Sequence, residues 1–182
     1  MLNGDGLRVV LWLSGCSHNC YKCQNPQTHN PNSGILFDEM AEEELFRELS
    51  KDYISGLTLT GGDPLHENNL DEVLKFVNRI RLLLPNKTIW LYTGYEIDVL
   101  YGNTILFKPS KLDLCLPDNE FKEQFDIELK RSNIVKQCSV VVDGRYIDSQ
   151  KDVSLRWRGS SNQRVIDIQK SLQQGEVVLY CE

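Results

Sequence analysis

Leu7 to Pro26 reads LRVVLWLSGCSHNCYKCQNP. An apolar, β-branched run leads directly into a polar loop that carries Cys16, Cys20 and Cys23 within eight positions, and the next cysteine is Cys115. Leu7 to Leu13 has the composition of a short strand buried on both faces, as parallel sheets contain. The loop that follows, Ser14 to Gly34, is too polar to extend the strand.

Working outward, Asp38 is placed to cap a helix in which Ala41, Leu45 and Leu49 share one face, with Glu42, Glu43 and Glu44 in its first turns. Leu57 to Thr60 reads as a second strand that ends in GGDP. Leu70, Val73, Leu74, Val77, Ile80 and Leu84 then follow helical spacing until Pro85 stops them. Thr88 to Thr93 is a third strand halted by Gly94, Phe121, Phe125 and Leu129 mark a later helix, and Cys138 to Asp143 gives a further strand. Tyr101 to Asn119 carries no clear pattern. Alternating strands and helices imply a parallel sheet with right-handed crossovers. The loops leaving its strands then share one edge, where sites in such folds lie. Here that edge gathers the cysteine loop, GGDP, TGY and DGR.

The chain of 182 residues is long enough for one domain with a core, so residues 1–182 are expected to form a single unit. A formal charge of -6 argues against nonspecific nucleic-acid or anionic-membrane binding. LSGC at Leu13 to Cys16 resembles the end of a lipoprotein signal, but the five apolar residues before it fall short of the about 7 to 15 of a signal core. A cytoplasmic location is therefore expected, and there six cysteines point to metal or chemistry rather than to disulfides.

Three thiolates spaced C-x3-C-x2-C can surround one side of a metal centre. A structural zinc site would have to recruit His18, His29 or a distant cysteine as a fourth ligand. A [4Fe-4S] cluster held by only three cysteines would keep one iron open to a ligand. The loop alone is compatible with both. The GGDP turn is equally double-edged: Asp63 and Pro64 could simply start a helix, as cap and first helical residue. Alternatively, Gly61 and Gly62 could let the backbone approach a ligand closely and turn carbonyl groups toward it.

A three-cysteine loop after the first strand and a Gly-Gly-acid-Pro turn after the second together resemble the radical S-adenosylmethionine (SAM) superfamily. GGDPLH (Gly61 to His66), IWLYTGY (Ile89 to Tyr95), VVDGRY (Val141 to Tyr146) and WRGSSNQR (Trp157 to Arg164) resemble more narrowly the activating proteins of anaerobic ribonucleotide reductase. The likeness runs from about Leu7 to Arg164 and is thinnest from Tyr101 to Lys136. It implies an α/β fold, an incomplete parallel (β/α) barrel of the radical SAM type. It also implies one [4Fe-4S] cluster on Cys16, Cys20 and Cys23, with SAM on the open iron. SAM contacts would come from Lys22, Cys23, Gln24, Gly61, Gly62, Asp63, Pro64 and Thr93. No side chain acts as an acid or base, since the cofactors carry the chemistry: reductive SAM cleavage and abstraction of a glycine α-hydrogen from the reductase catalytic subunit. An external one-electron donor, flavodoxin-like or similar, is a further implied partner.

In many relatives of that superfamily an aromatic precedes the third cysteine, whereas here Lys22 does, with Tyr21 one position earlier. Cys115, Cys138 and Cys181 read as small hydrophobes rather than ligands. His18 and His66 read as loop groups, and Asp143 as a strand-end polar residue that could reach SAM. Arg156, Arg158 and Arg164 read as a solvated loop. The rival readings are another radical SAM enzyme, acting on a different glycyl radical partner or a purine-like small molecule, and a zinc-stabilised interaction module without turnover.

Overall fold

The computed structural model describes residues 3–100, 102, 104–108 and 117–181. These form strands β1 (Arg8–Leu13), β2 (Gly56–Gly61), β3 (Thr88–Tyr92), β4 (Glu96–Leu100), β5 (Thr104–Lys108), β6 (Val140–Asp143) and β7 (Arg164–Asp167). The helices are α1 (Glu39–Leu49), α2 (Leu70–Leu83), α3 (Asp118–Gln137) and α4 (Ile168–Gln174). A five-stranded sheet runs β1-β2-β3-β6-β7, parallel except for β7, and β4 and β5 form a separate antiparallel hairpin. No helix among the described residues is long and apolar enough to cross a membrane.

The strands and helices expected from Leu7 to Leu84 are present within a residue or two of their sequence limits. Asp38 caps α1 by accepting from the Ala41 amide at 2.9 Å. Two expectations, for β1 and for Arg164, fail for physical reasons, and the readings of GGDP and of the later helix are refined. β1 is an edge strand, so it is half-buried rather than covered on both faces, and Trp12 is 50 % exposed. Asp63 and Pro64 do not start α2: the helix begins at Leu70 after a 3-10 turn, Glu67–Asn69, capped by His66. Phe125 and Leu129 do mark a helix, α3, but they lie on its exposed side, and its buried side holds Arg131, Ser132, Ile134 and Val135. Arg164 is not in a solvated loop; it opens β7 in an ion pair with buried Asp143. Cys115 lies outside the described residues, and Cys138 is buried in the core as expected.

Alternation along the strands gives the sheet two unlike faces. Leu57, Leu59, Ile89, Leu91, Val141 and Ile166 pack with residues from all four helices in one continuous core. Among the described residues, no helix lies on the opposite face. There Trp90, Val140, Val142 and Val165 pack with Trp157, and Trp90, Trp157 and Tyr180 meet edge to face at 5.1–5.7 Å between ring centres. Below them Arg8 lies over Trp90 at 5.5 Å and donates to the Thr58 and Thr88 hydroxyls at 2.8 Å. The lower part of the helix-free face is therefore filled, and only its upper end, at the carboxyl ends of the strands, is open.

Candidate functional site

The open end is a cavity of about 370 Å³. Trp12, Thr60 and Tyr92 form its floor, and the loops leaving the parallel strands form its walls: Cys16, Cys20 and Cys23 after β1, Gly61 to Asp63 after β2, Thr93 and Gly94 after β3, and Gly144 after β6. The four motifs that the sequence placed on one edge do meet there.

The cysteine loop folds back on itself. Gly15, at φ +98°, turns the chain out of β1 so that its amide donates to the Thr28 carbonyl at 2.8 Å, and the Cys16 amide follows to His29 at 3.1 Å. Asn19 and Lys22 also hold positive φ, which curls the segment between the thiols, and the Cys23 amide closes a turn onto the Cys20 carbonyl at 3.1 Å. All three thiols are half-buried. Burial pushes the Cys16 thiol up, reinforced by the charges of Asp63, Cys20 and Cys23, while the nearby His18 backbone acts the other way. The Cys23 sulfur accepts from the Asn25 amide at 3.4 Å. Among the described residues, no three His, Cys, Asp or Glu side chains converge on a single-ion site.

The glycines of GGDP are explained by protein rather than by ligand. The Gly62 amide donates to the Leu13 carbonyl and the Asp63 amide to the Gly15 carbonyl, both at 2.7 Å. A Cβ at Gly61 would stand 2.8 Å from the Leu13 carbonyl oxygen, and one at Gly62 would stand 2.5 Å from that of Gly15. The missing side chains thus admit the backbone of β1 and the cysteine loop. With both amides used, what this turn can still present to a ligand ammonium is carbonyl oxygen.

Asp63 is 2 % exposed. Its carboxylate accepts from the Leu65 amide (2.8 Å), the Thr93 hydroxyl (2.9 Å) and the Gly94 amide (3.0 Å), and it pairs with His18 Nε2 at 2.6 Å. Gln24, Cys23 and Thr93 line the cavity. Two expected contact residues do not: Lys22 extends to Asp148 at 2.9 Å, and Pro64 is buried outside the lining. Tyr21, 75 % exposed, lines a neighbouring outer cavity instead. Asp143 is also turned away from any ligand, held by Arg164 and by the Ile97 amide at 2.9 Å.

Sequence reasoning missed several lining groups. Tyr92 reaches the floor with a buried hydroxyl that has no hydrogen-bond partner, and burial raises its pKa, keeping the phenol protonated. WRGSSNQR contributes Arg158, Gly159 and Gln163 to the wall. The Gln163 side chain draws this turn together, accepting from the Gly159 amide at 3.0 Å and donating to the Gly144 carbonyl at 3.0 Å. Strand alternation could have identified Trp12, Thr60 and Tyr92, since each faces opposite to an aliphatic core residue next to it. Nothing local in the sequence places WRGSSNQR beside the cysteines.

The family of the 4Fe-4S single cluster domain matches residues 2–166. The chain is 36 % identical over 167 residues to the anaerobic ribonucleoside-triphosphate reductase-activating protein of Escherichia coli (strain K12), covering 91 % of each chain. It is 37 % identical over 164 residues to the protein of that name from Enterobacteria phage T4, covering 90 % of this chain and 86 % of the relative. Against that of Haemophilus influenzae the identity is 34 % over 165 residues, 90 % of this chain and 89 % of the relative. No solved structure matches the chain significantly. Cysteine loop, strand-end rim and likeness along nine-tenths of the sequence agree, and the chain belongs to the anaerobic ribonucleoside-triphosphate reductase-activating proteins, within the 4Fe-4S single cluster domain family.

Proposed function

We propose that this protein activates an anaerobic ribonucleotide reductase by reductive cleavage of SAM at a [4Fe-4S] cluster and removal of a glycine α-hydrogen from the reductase catalytic subunit. The observation that carries the reading is that Cys16, Cys20 and Cys23 share one cavity with the Gly61–Asp63 turn. The cavity of about 370 Å³ that the three thiols border has room for a group with several metal atoms. The fold supports an incomplete barrel of the radical SAM type: β1, β2, β3 and β6 follow in spatial order, and among the described residues every α-helix lies on the same face. Successive right-handed crossovers on one side wrap a sheet around its other face.

In this reading Cys16, Cys20 and Cys23 would hold the [4Fe-4S] cluster and leave it one position for SAM. Carbonyl oxygens of the Gly61–Gly62 turn would receive the SAM ammonium, and Thr93 with the Cys23–Gln24 backbone would border the rest of the ligand. When bound, the reduced cluster and SAM supply a primary carbon radical, which is strong enough to take a hydrogen from glycine because the product radical is delocalised over the flanking amides. The chain's own part is to bind, orient and exclude water: the aromatic layer of Trp90, Trp157 and Tyr180 seals the cavity from below, and Tyr92 lines its floor. Electrons come from an external one-electron donor, flavodoxin-like or similar.

The test is anaerobic incubation with SAM, reductant and a reductase deuterated at glycine. A doublet electron paramagnetic resonance (EPR) signal on the reductase, with deuterium recovered in 5'-deoxyadenosine, is expected. SAM cleavage with the label left on the reductase would reject this substrate in favour of another radical SAM reaction.

A further inference from the structure

Asp63 occupies the acid position of the Gly-Gly-acid-Pro turn, yet its carboxylate already takes four donors within the protein. Two carboxylate oxygens offer about four acceptor positions. Four protein donors use them unevenly: the Leu65 amide is on Oδ1, while His18 Nε2, the Thr93 hydroxyl and the Gly94 amide crowd Oδ2. Oδ2 has no acceptor position left, so a ligand ammonium could bind that oxygen only by displacing one of the three and leaving a buried donor unpaired.

We infer that Asp63 and His18 together are positioning residues, a clamp that fixes the cysteine loop against the exit of β3 and so sets the shape of the SAM-binding cavity. This rests on the reading above, that the cysteines carry a cluster and the cavity takes SAM. His18 sits between two of the cysteines and belongs to both sides of the clamp. Its backbone links Cys16 to Cys20 within the loop, and its ring reaches 2.6 Å to Asp63. The ring fills the space that a side chain at Gly94 would need, where a Cβ would lie 2.4 Å from His18 Cδ2. The ring also meets Tyr95, edge to face at 4.6 Å. Tyr95 is held in turn by Arg131, which is 1 % exposed, donates to its hydroxyl at 2.6 Å and is anchored on the Leu65 carbonyl at 3.0 Å. The cysteine loop, the GGDP turn and the TGY turn therefore meet at one carboxylate, and a buried arginine from α3 braces the contact.

Removing the His18 ring leaves all three thiols in place while freeing one wall of the cavity from the other. The effect falls on ligand recognition more than on metal content. The experiment uses the full chain, reconstituted anaerobically with iron and sulfide, as His18→Ala, His18→Phe and His18→Gln. Iron and sulfide are assayed, and SAM is titrated against the EPR signal of the reduced cluster. We expect parental iron content throughout and a SAM response weakened about tenfold in His18→Ala, the size of one charge-assisted hydrogen bond. His18→Phe, which keeps a ring against Gly94 and Tyr95 but has no donor, should be weakened in the same direction, and His18→Gln, which restores an N–H, should recover most of the response. A parental SAM titration in the alanine variant would overturn the inference. So would loss of iron from all three variants while their metal-free forms melt like the parent, because His18 would then serve the metal itself. If metal-free His18→Ala does not fold, His18→Phe carries the test, and a parental response there overturns the inference. Failure of the unaltered chain to take up any cluster would instead reject the reading under Proposed function.

Discussion

Leu57, Leu59, Ile89, Leu91 and Val141 point from the sheet into the helices, whereas Thr58, Thr60, Trp90, Tyr92 and Val142 point to the face that no helix covers. The same strands supply both sets, residue by residue in alternation. On the helical side the residues are interchangeable in kind: aliphatic, uncharged and fully buried. On the other side each level differs, with Arg8 and Thr88 at the bottom, Trp90 between Thr58 and Val140 in the middle, and Trp12, Thr60 and Tyr92 beneath the cavity. One face supplies stability by area; the other builds a sealed floor under a site. Substitutions should separate the two.

The largest effect belongs to the contact that joins the sheet to the cysteine loop. Gly62→Val places a Cβ 2.5 Å from the Gly15 carbonyl oxygen, so we expect it to displace the loop and abolish cluster assembly, measured as iron and sulfide per chain. Normal iron content with only SAM binding lost would mean that the glycine faces the ligand after all. Next in size, Leu59→Ala on the helical face should cost about 2–5 kcal/mol in denaturant unfolding, as for other fully buried leucines. Trp157→Ala on the helix-free face removes a partly buried ring and its edge contacts with Trp90 and Tyr180. We expect a smaller loss, about 1–3 kcal/mol, accompanied by weaker SAM binding that Leu59→Ala does not show in its folded fraction. The smallest effect is predicted at Phe125, 51 % exposed on α3: Phe125→Ser should change stability by no more than about 0.5 kcal/mol. A larger loss would mean that α3 buries the side its aromatic spacing suggests.

That last prediction marks where sequence legibility ends. Strands and helices from Arg8 to Tyr92 could be read because each buries one aliphatic set at a regular period, and the caps at Asp38 and Pro85 lie in the sequence itself. The rim could be read because a parallel sheet brings all its strand exits to one edge. The β4–β5 hairpin could not: its buried residues, Ile97, Val99, Ile105 and Phe107, alternate over only five positions in each strand. α3 shows in the sequence through Phe121, Phe125 and Leu129, of which Phe125 and Leu129 face outward, and its core side contains an arginine whose partners, Leu65, Tyr95 and Glu128, come mostly from distant parts of the chain. Asp63 shows the same limit within the site. Its neighbours in sequence suggest a helix cap, but its carboxylate is claimed by His18, Thr93 and Gly94, and no local pattern encodes that meeting.

The central claim is that three cysteines at the sheet rim hold a [4Fe-4S] cluster with one iron reserved for SAM. Mössbauer spectra of 57Fe-reconstituted protein, taken with and without SAM under anaerobic conditions, test it most directly. The account predicts one four-iron cluster per chain, in which a single iron subsite changes its isomer shift when SAM is added while the other three do not. Four equivalent irons that ignore SAM, or tight stoichiometric binding of one zinc in place of iron and sulfide, would contradict it.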